Sequence, residues 1–307
     1  MSNVLVSGLI NIETTLKMDS FPIHYQPVRY PFFGVNSTVS GVGLNISKAL
    51  TTLGDDVHFQ SIIGRDLSGS LVTETLTALG LPTTWIVRGV DATAQSIILY
   101  DPTGARMINV DLKDIQDTAY PPDLYASAIA GCEAAVLCNI NFSRPFLSQA
   151  RAAGVLVATD VHAISDLDDP YNCDFMAHAD ILFMSDAQLP ATPEEWARAV
   201  QGAFNTPLLV IGLGEHGALL SVRADDHLSR YPAIKTRAVV NTIGAGDALF
   251  SSFLHFYLKT KNPYTALHKA MIFASYKIGT TGAAEGFLTE SELDSWDRSS
   301  YPLPPLR

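Results

Sequence analysis

The apolar residues of this chain alternate between short runs of strand length and longer stretches with helical spacing. Residues 4–9 and 57–63 are typical of buried strands. Between them, residues 44–53 repeat apolar side chains every three or four positions and stop at Gly54, which predicts a helix with a glycine at its end. A second helix is predicted over residues 71–79.

From about residue 120 the alternation becomes regular. Strand–helix alternation of this kind predicts right-handed crossovers and a mostly parallel sheet with helices on both faces, an α/β fold in three layers. Three short strands are expected between Ala218 and Val240, followed by helices over 245–259 and 264–278. The alternating segments are strands at 134–137, 155–159, 181–184 and 208–211, with helices near 144–153, 171–178 and 193–204.

Two other regions predict β-structure outside this pattern. Residues 12–40 alternate loosely and carry three prolines, which favours a hairpin or cover outside the main sheet. Further strands are predicted at 84–87, 96–100 and 105–110, the last two joined by the turn Asp101-Pro102-Thr103-Gly104. The proline-rich tail at 302–307 is expected to be a loose end.

Length and composition indicate one large domain, residues 1–307, with a full apolar core. The chain has 307 residues, of which 47% are hydrophobic, and its formal net charge is −11. The negative net charge disfavours nucleic acid and anionic membranes as partners. A phosphate-bearing ligand must therefore be bound by a local structural feature and not by a basic surface. The N-terminus reads as a strand without a basic region, and no run of about 18 apolar residues occurs, so we expect a cytoplasmic protein.

Other classes of site receive little support. The three cysteines form no C-x-x-C pair, no H-x-x-x-H pair exists for zinc, and G-x-S-x-G and G-x-x-x-x-G-K-[ST] are both absent. Asp166, Asp168 and Asp169 lie close together, but a solvated acidic loop is the more ordinary interpretation than a metal site.

The most informative segment is a glycine turn that begins a helix, Gly244-Ala245-Gly246-Asp247. Side-chain-free backbone at a helix start leaves N–H groups free to face an anion, and the helix dipole adds favourable potential. Asp247 in the first turn is ordinarily a helix-end stabiliser. Beside a phosphate-binding turn it has a second interpretation, as the base that takes a proton from an attacking hydroxyl group.

Two further glycine motifs need their context. Residues 212–217 match the dinucleotide-binding pattern G-x-G-x-x-G. A dinucleotide fingerprint would begin a helix, but here a strand follows at 218–222. A turn between two strands near a nucleotide is therefore favoured, and a dinucleotide-dependent oxidoreductase is not. Ser40-Gly41-Val42-Gly43-Leu44-Asn45 also precedes a helix. It is either ordinary turn chemistry or a close approach of backbone and Asn45 to a ligand.

Together these motifs, over nearly the whole chain and in the right order, resemble the ribokinase (phosphofructokinase-B-type) family of sugar and nucleoside kinases. Asn241-Thr242-Ile243-Gly244-Ala245-Gly246-Asp247 resembles its D-T-x-G-A-G-D motif. Gly41-Val42-Gly43-Leu44-Asn45, then Leu53-Gly54 and Ile63-Gly64-Arg65-Asp66-Leu67-Ser68-Gly69, resemble its G-G-x-G-x-N…L-G…x-G-x-D-x-x-G pattern. Gly8-Leu9-Ile10-Asn11-Ile12-Glu13 stands where the family has G-x-x-N-x-D.

The resemblance implies a ribokinase-like three-layer sandwich with a small β-sheet lid from about residues 12–37 and 84–110. It also implies ATP and Mg²⁺ as cofactors, with Asp247 as the base and Gly244, Ala245 and Gly246 as the anion hole. Family members are often homodimers through the lid. The residues implied to hold the substrate are Asn11, Glu13, Gly41, Val42, Asn45, Asn139 and Asn141. Those implied near the nucleotide are Ser185, Gly212, Gly214, Gly217, Thr242 and Ala274, with Asp186 and Gln188 near the metal.

The chain departs from the family pattern at several of these positions. Asn241 replaces an Asp that the family associates with its cation-binding side, which leaves activation by a monovalent cation such as K⁺ open. Glu13 replaces the substrate-binding Asp, and Gly212 replaces a Thr near the nucleotide. Ser185-Asp186-Ala187-Gln188 occupies the position of the family's N-x-x-E motif, which lies near the metal. Val42 replaces the Lys of the sugar-phosphate branches and, with Asn241, is more similar to pseudouridine kinase.

The resulting hypothesis is an ATP-dependent kinase that phosphorylates a hydroxymethyl group of a nucleoside or an unphosphorylated sugar. The missing Lys argues against a sugar phosphate, because a phosphate needs fixed donors. A sugar-acid kinase is an alternative acceptor class. A catalytically weak sensor that only binds such a ligand is the other alternative, motivated by Ser185, Gln188 and Asn241.

Overall fold

A computed structural model describes residues 1–300 of the chain, so the expectation for the tail at 302–307 lies outside the described residues. Along the described chain, no helix is both long and apolar enough to cross a membrane.

The strands are β1 (Asn3–Ser7), β2 (Asn11–Lys17), β3 (Val35–Ser40), β4 (Asp56–Gly64), β5 (Ile86–Val90), β6 (Gln95–Tyr100), β7 (Arg106–Asp111), β8 (Ala134–Leu137), β9 (Leu156–Asp160), β10 (Ile181–Ser185), β11 (Leu208–Gly212), β12 (Ala218–Val222) and β13 (His227–Tyr231). The helices are α1 (Val42–Leu53), α2 (Leu67–Ala78), α3 (Pro122–Ile129), α4 (Phe146–Ala152), α5 (Cys173–His178), α6 (Pro193–Phe204), α7 (Ala245–Thr260), α8 (Pro263–Lys277) and α9 (Glu290–Ser300).

A nine-stranded sheet forms the centre of the molecule, in the order β13-β12-β11-β10-β9-β8-β1-β4-β5. The strands from β11 through β5 pair in parallel, and β12 and β13 continue the sheet antiparallel at one edge. This confirms the predicted α/β architecture, since helical crossovers connect most of the parallel strands.

Helices cover both faces of this sheet, and each face has its own apolar core. Alternate residues of one strand belong to different cores. Val4 and Val6 belong to the core that contains Leu50 and Phe253, whereas Leu5 belongs to the core on the other face. A period of two is what a buried strand imposes, because successive side chains point to opposite faces. The helices on the first face include α1, α7 and α8, and those on the second include α3, α4 and α6.

A separate four-stranded sheet, ordered β3-β2-β6-β7, corresponds to the predicted lid. The hairpin expected within residues 12–40 is present as the antiparallel pair β2 and β3. The expected second lid segment, 84–110, requires correction because β5 pairs in parallel with β4 in the large sheet. The intervening α2 makes a β–α–β crossover, and such a crossover places the second strand beside the first in the same sheet.

Only two of the three short strands expected between Ala218 and Val240 are formed, β12 and β13. The segment after Tyr231 runs along α8 instead of joining the sheet. The backbone N–H of Thr236 donates to Ser275 Oγ at 3.0 Å, and that of Val240 donates to the Ile278 carbonyl at 2.8 Å. These donors are therefore satisfied by the end of a helix, which removes the need for a strand partner.

Candidate active site

The parallel strands deliver their carboxyl ends to one edge of the large sheet. β8, β9 and β10 end there at Leu137, Asp160 and Ser185, and the turn that begins α7 faces Asp160: a Cβ on Gly246 would lie 4.0 Å from Asp160 Oδ2. Ligands of open α/β sheets bind outside this edge, so the motif residues gather where the fold is expected to hold its substrates.

The turn at 241–246 has a shape that only glycine allows at its centre. Gly244 has φ +74°, and a Cβ there would lie 2.3 Å from the Ala283 carbonyl oxygen. The Ala245 N–H donates to the Thr242 carbonyl at 3.2 Å. The next two N–H groups, those of Gly246 and Asp247, occupy the first turn of α7, where backbone donors have no intrahelical acceptor. The donors available to an anion are thus those of Gly246 and Asp247 more than that of Ala245.

Asp247 lies half-buried in the first turn of α7, and its carboxylate meets a side chain from far along the sequence. Asn45 Nδ2 donates to Asp247 Oδ2 at 2.7 Å. Burial raises the pKa of Asp247 above its ordinary value, the Asn45 hydrogen bond and the charge of His162 oppose that rise, and the nearby Asp160 carboxylate adds to it. The arrangement holds a carboxylate with increased proton affinity beside the glycine turn at the start of α7.

A chain of polar side chains extends from Asn45 to the lid. Ser40 Oγ donates to Glu13 Oε2 at 3.3 Å and lies 3.4 Å from Asn45 Oδ1. Burial raises the pKa of Glu13, and the Ser40 hydrogen bond opposes the rise. Glu13 and Ser40 belong to paired lid strands, so this chain joins the lid to the start of α7 through Asn45.

Asn11 is the residue most clearly arranged to accept a ligand. It is 4% exposed, and its Nδ2 donates to Ser96 Oγ at 2.9 Å. Its Oδ1 is buried without a hydrogen-bond partner. A buried acceptor left unpaired costs free energy, so a substrate hydroxyl that reached it would be bound favourably.

Gly41 and Val42 shape the same corner. Gly41 has φ +112°, and a Cβ there would lie 2.5 Å from the Leu9 carbonyl oxygen, so the turn needs glycine for its own backbone packing. The expected approach of this backbone and Asn45 to a ligand stays a prediction. Val42 is the first residue of α1 and is half-buried, with no charge to offer a phosphate.

The two central asparagines are engaged elsewhere. Asn139 Nδ2 donates to Asn172 Oδ1 at 3.0 Å, and Asn141 Nδ2 donates to the Gln116 carbonyl at 3.0 Å. No hydrogen bond among the described residues connects either side chain with Asp247, so their substrate role stays a prediction.

On the expected nucleotide side, Ser185 and Gly212 are paired residues at the ends of β10 and β11. Residues 214–216 form a single 3₁₀ turn that leads directly into the antiparallel β12, as the strand–strand interpretation of this glycine motif requires. Gly217 has φ +99° and packs against the Tyr231 carbonyl. Ala274 is half-buried in α8, and Thr242 is exposed in the turn before Gly244.

No group of three or more His, Cys, Asp or Glu side chains that could hold a metal occurs among the described residues. Asp186 and Gln188 are exposed. Mg²⁺ commonly binds through substrate phosphates, one or two carboxylates and water, so a site with few protein ligands fits this ion.

Sequence reasoning missed three polar residues of the site. Asp160 ends β9 near Gly246, Ser96 holds Asn11, and Lys277 is buried with its Nζ donating to the Ile243 carbonyl. Asp160 could have been found from its position at the end of a predicted strand. Nothing in the local sequence distinguishes Lys277 from an ordinary lysine at the end of a helix.

Comparison with known proteins identifies the family of this chain. The family model for pfkB family carbohydrate kinases matches residues 1–290. The chain is 26% identical over 294 residues to an acarbose 7(IV)-phosphotransferase of Actinoplanes sp., covering 95% of this chain and 97% of the relative.

Two solved structures have the same fold. A microbiome-derived acarbose kinase superposes with a TM-score of 0.85 at 25% identity, covering 96% of this chain and 98% of the other. Arabidopsis thaliana ribokinase complexed with ribose and ATP superposes with a TM-score of 0.77 at 18% identity, covering 96% and 98%. This chain belongs to the pfkB family of carbohydrate kinases, enzymes that transfer a phosphoryl group to a sugar hydroxyl group.

Proposed function

We propose that this protein is an ATP-dependent kinase that phosphorylates a hydroxymethyl group of an unphosphorylated sugar or sugar-like alcohol, with Asp247 as the general base. The observation that carries the proposal is the pairing of Asp247 with Asn45 directly beside the free N–H groups at the start of α7.

In the proposed reaction, Asp247 accepts the proton of the substrate hydroxyl as its oxygen attacks the γ-phosphorus of ATP. The Gly246 and Asp247 N–H groups, with the positive end of the α7 dipole, stabilise the charge on the transferring phosphoryl oxygens. Phosphoryl transfer needs mainly positioning and charge stabilisation from the protein. These groups supply both.

The proposed substrate site lies between this turn and the lid. Asn11 Oδ1 and the Glu13 carboxylate accept hydrogen bonds from substrate hydroxyls, and Asn45 holds the base. Val42 offers no fixed charge, which favours an uncharged acceptor over a sugar phosphate. The two acarbose kinases among the similar proteins also favour a saccharide-like acceptor over a nucleoside.

Exposed aromatic side chains in the β2–β3 connection add to this preference. Tyr25, Tyr30 and Phe32 are 90%, 77% and 83% exposed, respectively. Amphipathic rings on a lid can cover the apolar face of a sugar ring while leaving its hydroxyls in water. They would suit an acceptor longer than one sugar unit.

ATP is proposed to lie along the edge formed by Ser185, Gly212 and the 214–217 turn, with Thr242 and Ala274 on its other side. Mg²⁺ supplies charge neutralisation on the phosphates when bound. In this proposal, Asp160 and Asp186 would hold the ion or its waters, with Gln188 close to Asp186 in the sequence.

The proposal is tested by ADP release with Mg-ATP over a panel of acarbose, ribose, fructose, 2-keto-3-deoxygluconate, pseudouridine, uridine and fructose 6-phosphate. We expect turnover with an uncharged saccharide. A nucleoside as the preferred acceptor would move the assignment to nucleoside kinases, and the keto acid to sugar-acid kinases. Silence across the panel, together with thermal stabilisation by one of these ligands, would favour the sensor alternative.

A further inference from the structure

Lys277 is fully buried at the last residue of α8, with 0% of its surface exposed. Its Nζ donates to the carbonyl oxygen of Ile243, the residue directly before Gly244. Lysine is almost never fully buried unless its ammonium group is paired with another group. Here the partner is the backbone that leads into the anion-binding turn.

Four oxygen atoms around this turn accept hydrogen bonds from N–H donors. Asn241 Oδ1 accepts from the Ile243 N–H at 3.0 Å, and the Thr281 carbonyl accepts from Asn241 Nδ2 at 2.5 Å. The Thr242 carbonyl accepts from Arg106 Nη1 of the lid at 3.3 Å. The Ile243 carbonyl is taken by Lys277.

These residues do not fit a bound monovalent cation. Such an ion needs several oxygen ligands that replace its hydration shell. The position that the family resemblance associates with the cation carries a neutral amide, Asn241, and the carbonyls beside it face Lys277 and Arg106 instead. The chain thus places two of its own cations at this turn.

We propose that the Lys277 ammonium does the work of a monovalent cation at this turn, and that the kinase is therefore independent of K⁺. Lys277 is a positioning residue: it fixes the Ile243 carbonyl and so orients the Gly246 and Asp247 N–H groups that follow. The inference rests on the proposed function, because these N–H groups matter only if an anion binds there.

The charges around Lys277 agree with this role. Burial lowers its pKa to about 8, and the Asp247, Glu13 and Glu285 carboxylates oppose that shift, whereas Arg106 adds to it. The ammonium form is present below pH 8 and is lost as the pH rises through this value. We expect wild-type turnover to fall above about pH 8 for this reason.

The test compares Lys277→Met with Lys269→Met, a lysine of the same helix that pairs with Asp294 and Asp297. Turnover and thermal unfolding are measured in KCl, NaCl and tetramethylammonium chloride at equal ionic strength. Wild-type rates should be equal in the three salts. Lys277→Met should lower kcat by ~10²-fold, the usual cost of displacing groups at the reacting centre by about 1 Å, without lowering the Tm, because burying an ammonium is costly. Lys269→Met should lower the Tm and leave kcat unchanged.

A third variant, Lys277→Ala, opens space for an ion. It should be stabilised against heat by K⁺ or NH₄⁺ relative to tetramethylammonium, whereas the wild type should not. A wild type that needs K⁺ for turnover or is stabilised by it specifically, or a Lys277→Met variant with wild-type kcat, would overturn the inference. Absence of wild-type turnover with every acceptor would instead count against the proposed function. In that case, measuring whether K⁺ changes the Tm of the wild type and of Lys277→Ala would still decide the inference.

Discussion

At the residue scale, the site brings together groups of opposing electrostatic effect around one carboxylate. Asp247 must be ionised to act as a base, yet its burial favours the protonated form. The Asn45 hydrogen bond and the Lys277 and His162 charges restore part of the ionised population. Each of these partners comes from a different segment of the chain, so the proton affinity of Asp247, the proposed base, depends on the assembled fold.

The pH dependence of kcat/KM tests this balance. Because the pKa of Asp247 is raised, activity should be lost as the pH falls through a value above the ordinary 3.8 of an aspartate. Asn45→Ala removes a hydrogen bond that stabilises the ionised form, so the acid limb should move to higher pH. Thr52→Ala serves as the control, because Thr52 lies on the same helix and its hydroxyl donates to the Lys48 carbonyl within that helix. An acid limb that stays in place in Asn45→Ala would contradict the assignment of the base.

The sequence predicted those site residues that belong to a local motif. Asp247 and Asn45 were expected from their glycine turns, and the structure joins them at 2.7 Å across 202 positions. Lys277, Asp160 and Ser96 carry no such motif. Their importance comes from burial and from partners distant in the sequence, which only the folded chain provides.

At the element scale, the start of α7 depends on a glycine with two separate requirements. Gly244 needs φ +74° and has the Ala283 backbone where a Cβ would lie, whereas Gly154 has φ +71° and open space around it. The pair separates the conformational cost of a left-handed residue from the steric cost.

We expect Gly154→Ala to cost ~1–2 kcal/mol of unfolding free energy, the left-handed penalty alone. Gly244→Ala should cost more and should also reduce kcat, because either the turn or the 282–285 loop must move. Chemical denaturation and steady-state kinetics measure both quantities. Equal stability losses with unchanged turnover in the two variants would show that the turn tolerates a side chain.

The elements predicted with most success were those with a strong local period. α6 (Pro193–Phe204) matches its predicted bounds, and the core strands are displaced by at most two residues at their ends. The assignment of β5 to a sheet failed because an isolated strand pattern does not identify its neighbour. The extra strand expected before Val240 failed because α8 supplied the hydrogen-bond partners instead.

At the scale of the whole molecule, the lid is attached to the turn that it covers. Ile98 of the lid forms a small apolar cluster with Ile243 and Ala283, and Arg106 of the lid donates to the Thr242 carbonyl. The small sheet therefore packs against the segment before the glycine turn, and we propose that closure of the lid would order this segment. This couples substrate enclosure to the geometry of the donors.

The lid also leaves apolar side chains uncovered, and we propose that it pairs with a second copy. Ile97, Met107 and Val35 are 51%, 47% and 56% exposed on its strands. Sedimentation velocity should show a dimer whose fraction grows with concentration and falls in Ile97→Lys. Leu67→Lys, an exposed position on α2, should leave the dimer unchanged. A monomer at all concentrations would contradict this prediction.

The most direct test of Asp247 as the general base is single-turnover phosphoryl transfer from γ-labelled ATP to the best acceptor, in wild type, Asp247→Asn and Asp91→Asn. Asn at 247 can still accept the Asn45 hydrogen bond, and Asp91 is an aspartate whose side chain is 96% exposed. We predict a fall in rate of ~10²–10⁴ for Asp247→Asn, the contribution of a general base, with unchanged ATP affinity and no loss for Asp91→Asn. Near-native transfer by Asp247→Asn would contradict the assignment of Asp247 as the base.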